Sequence, residues 1–268
     1  MILSNSTRFY GGVATDVVNH AAALIIAVAY RAVAERGRFS MVLAGGNSPR
    51  MLYKRLAKGV RAELLEHYEL PLPEGCASNT MERIQLPSET WLFMGDERCV
   101  PIGHPDSNER MIRETLLPDS GIDTHHFIRI AGEKADTEEA AKEYEDAMRT
   151  FFMTGENSAW QEYPRFDLIL LGLGDDGHTA SLFADDVAAL QEQKRWVVAV
   201  NAPNGKPPGK RLTVTLPVIN HARNVLFFTT GTAKSELAEK IFLEQEKNVP
   251  ASLVKPINGK LFWFSAQP

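Results

Sequence analysis

Residues 13–36 run without Gly or Pro, rich in Ala and centred on the apolar stretch 21–30, until Gly37 interrupts them. That pattern predicts a long packed helix closed by its glycine. Short apolar runs then recur at 39–44, 90–94, 126–130, 166–171, 195–200, 224–230 and 261–264. Each is bounded by turn-formers or charges and predicts a buried strand. Helical patterns separate them. One opens with Ser48 as N-cap and Pro49 in the first helical position. A second opens at the Ser107/Asn108 cap. A third fills 135–152, its acidic start suited to the positive end of a helix dipole, and a fourth fills 233–245.

Apolar strands alternating with helices predict an α/β fold: a Rossmann-like three-layer α/β/α arrangement with a mostly parallel sheet covered on both faces. The stretch 69–89 has the composition of a surface loop. No repeat, low-complexity tract or linker interrupts the chain, so a single domain over 1–268 is expected.

Composition narrows the function. A net charge of −5 over 268 residues argues against a nucleic-acid surface or a basic membrane patch. The start lacks the basic and apolar regions of a signal peptide, and 21–30 is too short to span a bilayer. Cys76 and Cys99 are the only cysteines and lack metal-ligand spacing, so free thiols in a reducing, cytoplasmic setting are expected. Oligomeric state stays open between monomer and homodimer.

In a parallel sheet, ligands bind beyond the carboxyl ends of the strands. The informative loops are therefore 45–48, 95–108, 172–178 and 231–234. Gly45, Gly46, Asn47 and Ser48 end a strand and open a helix, which suits either a phosphate or a plain tight turn. Lys234 lies in the first turn of a helix, where a cation opposes the dipole unless an anion is present. Arg211 offers a two-pronged phosphate contact. Asp96, Glu97 and Arg98 are three consecutive charges directly after a buried strand.

The segment "GLGDDGHTASLF" (172–183) has the G-x-G-x-x-G spacing of a dinucleotide-binding turn. That use also needs an acidic residue about twenty positions on, at the end of the next strand. Here that strand runs into Asn201-Ala202-Pro203, and Asp175 and Asp176 would repel a pyrophosphate. The glycines instead turn the chain so that Asp176 and His178 project into a cleft, the carboxylate orienting an imidazole general base.

With "LAGGNSP", "MGDERCVPIGHPDSN", "LLGLGDDGHTASLF", "RLTVTLPVIN" and "TGTAKSE" in this order, the chain resembles the glucosamine-6-phosphate isomerase/6-phosphogluconolactonase superfamily over nearly its whole length. The lactonase branch fits better than the deaminase branch. Phe183 stands where the deaminases carry a glutamate, and Arg98 where they carry a tyrosine. Ala184 departs from the proline usual in lactonases, and 69–89 is longer than the usual connection. The resemblance implies hydrolysis of a small-molecule sugar phosphate lactone, 6-phospho-D-glucono-1,5-lactone, with no metal and no organic cofactor. It implies phosphate contacts from Gly45, Gly46, Asn47, Ser48, Arg211 and Lys234. His178 would be the base, Asp176 its orienter and Arg98 the oxyanion partner, with Asp96 and Asn108 lining the sugar site. The rival readings are an amino-sugar-phosphate isomerase or deaminase, a non-catalytic sugar-phosphate sensor, and a dinucleotide oxidoreductase.

Overall fold

The computed structural model describes residues 7–76, 83–153 and 162–267. Its strands are β1 (Thr7–Val13), β2 (Phe39–Leu43), β3 (Val60–Arg61), β4 (Arg83–Ile84), β5 (Thr90–Met94), β6 (Asp96–Arg98), β7 (Phe127–Ile128), β8 (Leu168–Leu171), β9 (Val197–Ala202), β10 (Gly209–Val214), β11 (Asn224–Thr230) and β12 (Lys260–Gln267). Its helices are α1 (Ala14–Arg36), α2 (Pro49–Lys58), α3 (Ala62–His67), α4 (Asn108–Thr115), α5 (Thr137–Met153), α6 (Val187–Leu190), α7 (Leu216–His221) and α8 (Thr232–Phe242).

Seven strands form one parallel sheet in the order β1-β12-β11-β8-β2-β5-β7. Every residue of β2 and β8 is buried, which requires cover on both faces. Alanines help supply it: Ala21, Ala22, Ala23, Ala29 and Ala32 of α1 are fully buried. Gly37 ends that helix in the left-handed region, its N–H returning to the Val33 carbonyl. α1 has the length and hydropathy of a membrane span, but its apolar side chains belong to the core of this fold.

Several local expectations change. β1 was not foreseen. It is an edge strand, paired only with β12, and its half-exposed residues and Gly11-Gly12 hide the pattern. The run at 195–200 does form a strand, β9, but outside the parallel sheet. It pairs antiparallel with β10, which in turn pairs antiparallel with β6. The run at 126–130 shortens to the two residues of β7. Within 69–89, residues 77–82 lie outside the described residues, while β4 pairs with β3 and Gln85 donates to the Ala57 and Asp119 carbonyls. Ser48 holds the N-cap position with Pro49 opening the helix, but its side chain makes no cap: its backbone is helical, and its Oγ lies 3.0 Å from Thr230 Oγ1.

Two features place the site. From β2 the chain proceeds to β5 and β7 on one side, while β8, β11 and β12 lie on the other. The loops after β2 and β8 therefore flank a crevice at the point where strand order reverses. Chain direction also passes from one sheet to another at Gly95, between β5 and β6. Its N–H bonds the Leu43 carbonyl in the parallel sheet, and its own carbonyl accepts from Val214 N at the end of β10.

Candidate active site

The turn after β8 is built by its glycines. Gly177 N donates to Gly174 O (3.0 Å), making a β-turn with Asp175 and Asp176 at its centre, and Gly174 N donates to His178 O (2.9 Å). Gly177 has φ +79°, and a Cβ there would meet Val249 at 2.4 Å. At Gly174 a Cβ would lie 2.1 Å from His178 Nδ1 and 2.5 Å from Asp176 Oδ1. The glycine leaves room for this pair. No dinucleotide cradle forms here.

His178 Nδ1 lies 2.5 Å from Asp176 Oδ1. A carboxylate only accepts, so Nδ1 carries a proton toward Asp176, and in the neutral ring the lone pair then falls to Nε2. Burial pulls the Asp176 carboxyl upward, but the charge of His178 and hydrogen bonds from its backbone and ring outweigh this and hold it below the ordinary aspartate value. Phe183 packs against the imidazole at 4.4 Å between centroids, and the Arg211 guanidinium lies 5.3 Å from the same ring. One phenyl group thus spaces the base from a cation.

The antiparallel sheet supplies two arginines. Arg98 on β6 is directly opposite Arg211 on β10, and Asp96 is opposite Thr213. Strand alternation puts all four on one face. Arg211 is buried, donates through Nη2 to Pro207 O (2.7 Å), and its pKa is lowered by burial. Arg98 donates through Nη1 to Asp106 O. The Nε of each is buried without a hydrogen-bond partner among the described residues. Like charges on adjacent strands repel, so the pair suits an anionic ligand.

Asp96 is tied down by Ser181 Oγ (2.7 Å) and Asn108 Nδ2 (3.2 Å). Glu97 points the other way. Its carboxylate accepts from Asn108 N, Glu109 N, Arg98 N and Ser107 Oγ, holding the start of α4. Burial nevertheless pushes its pKa up. Ser107 caps α4 as expected, accepting from Arg110 N.

Gly45, Gly46, Asn47 and Ser48 join β2 to α2. Across the crevice, Lys234 in the first turn of α8 reaches to 3.9 Å from Asp175 Oδ1. A cleft of about 530 Å³ is lined by these four loop residues with Asp96, Arg98, Asp176, His178, Arg211 and Lys234. That is the size of a small-molecule site.

Asn108 is the exception. It is buried behind the wall, and a Cβ on Gly45 would fall 2.2 Å from its amide. It braces Asp96 and packs under the loop after β2, and it is not among the residues that line the cleft. The sequence reading also missed Asn204, Gly205 and Lys206, which line the cleft from the β9–β10 connection, and Ser181, which bridges Asp96 to the His178 loop. Lys206, set among Gly and Pro shortly before Arg211, was the available signal.

The family described as glucosamine-6-phosphate isomerases/6-phosphogluconolactonase matches residues 13–263. Human 6-phosphogluconolactonase is 39% identical over 261 residues, covering 97% of this chain and 88% of the human protein. A Synechocystis 6-phosphogluconolactonase is 37% identical over 239 residues, covering 88% and 85%. Among solved structures, the 6-phosphogluconolactonase of Trypanosoma brucei is similar with a TM-score of 0.71 at 26% identity, covering 97% of this chain and 96% of that one. The enzyme from Thermotoga maritima gives 0.73 at 25% identity, covering 97% and 99%.

Proposed function

We propose, for a chain that belongs to the glucosamine-6-phosphate isomerase/6-phosphogluconolactonase family, that it hydrolyses 6-phospho-D-glucono-1,5-lactone to 6-phospho-D-gluconate in the oxidative pentose phosphate pathway. One domain spanning 1–268 carries the activity in the cytoplasm, as a monomer or homodimer, without a nucleic-acid or membrane partner.

The observation that carries the mechanism is the His178–Asp176 pair on the wall of the cleft that Arg98, Arg211 and Lys234 also line. His178 Nε2 takes a proton from water as the water oxygen attacks the lactone carbonyl carbon. Asp176 stabilises the resulting imidazolium. The oxyanion forms beside Arg98. As the bond from carbon to ring oxygen breaks, the imidazolium returns its proton to the departing alkoxide. The new carboxylic acid then releases a proton to solvent at neutral pH. One water is consumed, and the base is regenerated without a covalent intermediate.

The phosphate lies against 45–48, with Arg211 and Lys234 as counter-ions. Asp96 holds ring hydroxyls. Phe183 supports the lactonase assignment, because it puts an apolar ring where the deaminase reaction would need a carboxylate.

The test generates the lactone from glucose 6-phosphate with its dehydrogenase and follows NADPH with a second dehydrogenase that consumes the acid. The protein should accelerate the second phase well above spontaneous hydrolysis. No acceleration would overturn the reading, and ammonia release from glucosamine 6-phosphate would replace it with the deaminase.

A further inference from the structure

The turn after β8 presents two adjacent carboxylates, and the mechanism uses one. Asp176 turns back to His178, whereas Asp175 reaches across the cleft mouth to Lys234, at 3.9 Å. Both Asp175 and Lys234 line the cleft.

The placement of Lys234 needs an anion. It lies in the first turn of the 11-residue α8, which has no acidic residue in that turn, so its charge adds to the positive end of the helix dipole. The anion beside it in the structure is Asp175, at 3.9 Å. The turn that carries Asp175 is fixed at both ends. Gly174 and Gly177 close it by hydrogen bonds, and Ala251 N donates to Gly177 O. Asp175 is thus held near Lys234 by backbone geometry, although its side chain is 69% exposed.

We propose that Asp175 is a built-in stand-in for the substrate's phosphate, a specificity-determining residue that occupies Lys234 until a phosphorylated ligand displaces it. This rests on the reading of Lys234 as a phosphate contact. Two consequences follow from Coulomb's law. A ligand phosphate must replace an existing ion pair, which lowers its net gain. Its charge also meets the displaced carboxylate nearby, which penalises more highly charged anions. Asp175 therefore weakens the grip on substrate and product alike, and it speeds release of an acid product that carries one more negative charge than the lactone.

The experiment replaces Asp175 by Asn, which suits the same turn position and removes only the charge. Kd for inorganic phosphate and for 6-phosphogluconate is measured by calorimetry, and KM for the phosphorylated lactone by the coupled assay. An exposed ion pair of this kind contributes roughly 0.2–1 kcal/mol. Asp175→Asn should therefore tighten both Kd values and lower KM about 1.5- to 5-fold. The same substitution in a Lys234→Ala background should produce a clearly smaller tightening, because the pair is already absent and only the direct repulsion remains. Unchanged or weaker binding in Asp175→Asn overturns the proposal. Tightening of undiminished size without Lys234 overturns it too, since the carboxylate would then act on the ligand alone. The binding arm does not depend on turnover, so failure of the lactonase reading and failure of the stand-in are told apart.

Discussion

The two ends of β8 carry opposite kinds of ion cluster. At the amino end, Asp167 is buried and accepts from Ser40 N and Ser40 Oγ, both at 2.9 Å, and from Arg36 Nε at 3.0 Å, with Arg223 Nε 3.4 Å away. One carboxylate collects donors from α1, β2 and the approach to β11. At the carboxyl end the balance reverses. Arg98 and Arg211 keep buried Nε atoms without partners among the described residues, and Lys234 has an exposed aspartate at 3.9 Å. In the first cluster a buried carboxylate gathers the cations around it and joins elements together, with Arg223 Nε left short of a hydrogen bond among the described residues. In the second, donors are held ready for a ligand. The difference shows how a structural ion network is told from a binding site: at the amino end the arginines share a buried carboxylate, whereas Arg98 and Arg211 form no ion pair among the described residues and line a cleft.

Substitutions should separate the ends. The largest effect is expected at the upper end, where His178→Ala should lower kcat about 10²- to 10⁴-fold with little change in KM. Steady-state assays corrected for spontaneous hydrolysis measure it, and a wild-type rate would remove His178 as the base. Asp167→Ala should do the reverse. It leaves Ser40 and Arg36 without their shared acceptor and should destabilise the fold by about 2–4 kcal/mol in urea unfolding, with turnover per folded molecule retained. A large loss of turnover in well-folded Asp167→Ala would erase the division between the ends.

Lys234→Ala should raise KM about tenfold, or roughly 1.4 kcal/mol, while kcat stays within about a factor of two. A kcat-dominated loss would place Lys234 at the reacting carbonyl. The smallest effect concerns pH. Asp176 has its folded pKa depressed by His178, so its contribution to stability is present above the unfolded aspartate value and is lost as pH falls through the folded one. The Tm difference between wild type and Asp176→Asn should therefore shrink on acidification below the ordinary carboxylate range. A difference that grew there would reverse the sign of the interaction.

Much of this was legible in the sequence, for identifiable reasons. β2, β5, β8 and β11 are continuous apolar runs because both faces are covered, and such runs stand out. The turn 174–177 could be read because Gly-Asp-Asp-Gly constrains the backbone locally. β1 could not, since an edge strand with alternating exposure carries a weak pattern. The antiparallel partnership of β6, β10 and β9 was also hidden. It joins segments more than a hundred residues apart, and nothing local in 96–98 announces it. The burial of Asn108 follows from that partnership and from Gly45, so its bracing role appeared only in three dimensions.

The passage of one strand through Gly95 into a second sheet makes the cleft sensitive to parity. Asp96 and Arg98 reach the ligand side only because they are even steps apart, while Glu97 between them is spent on α4. Inserting or deleting a single residue ahead of Asp96 would exchange the two sets. A lone carboxylate would face the cleft, and an arginine would be driven against the positive end of a helix. The charge sign of this wall is thus a matter of counting along the backbone, which leaves the approach to Asp96 little tolerance for single-residue insertions or deletions.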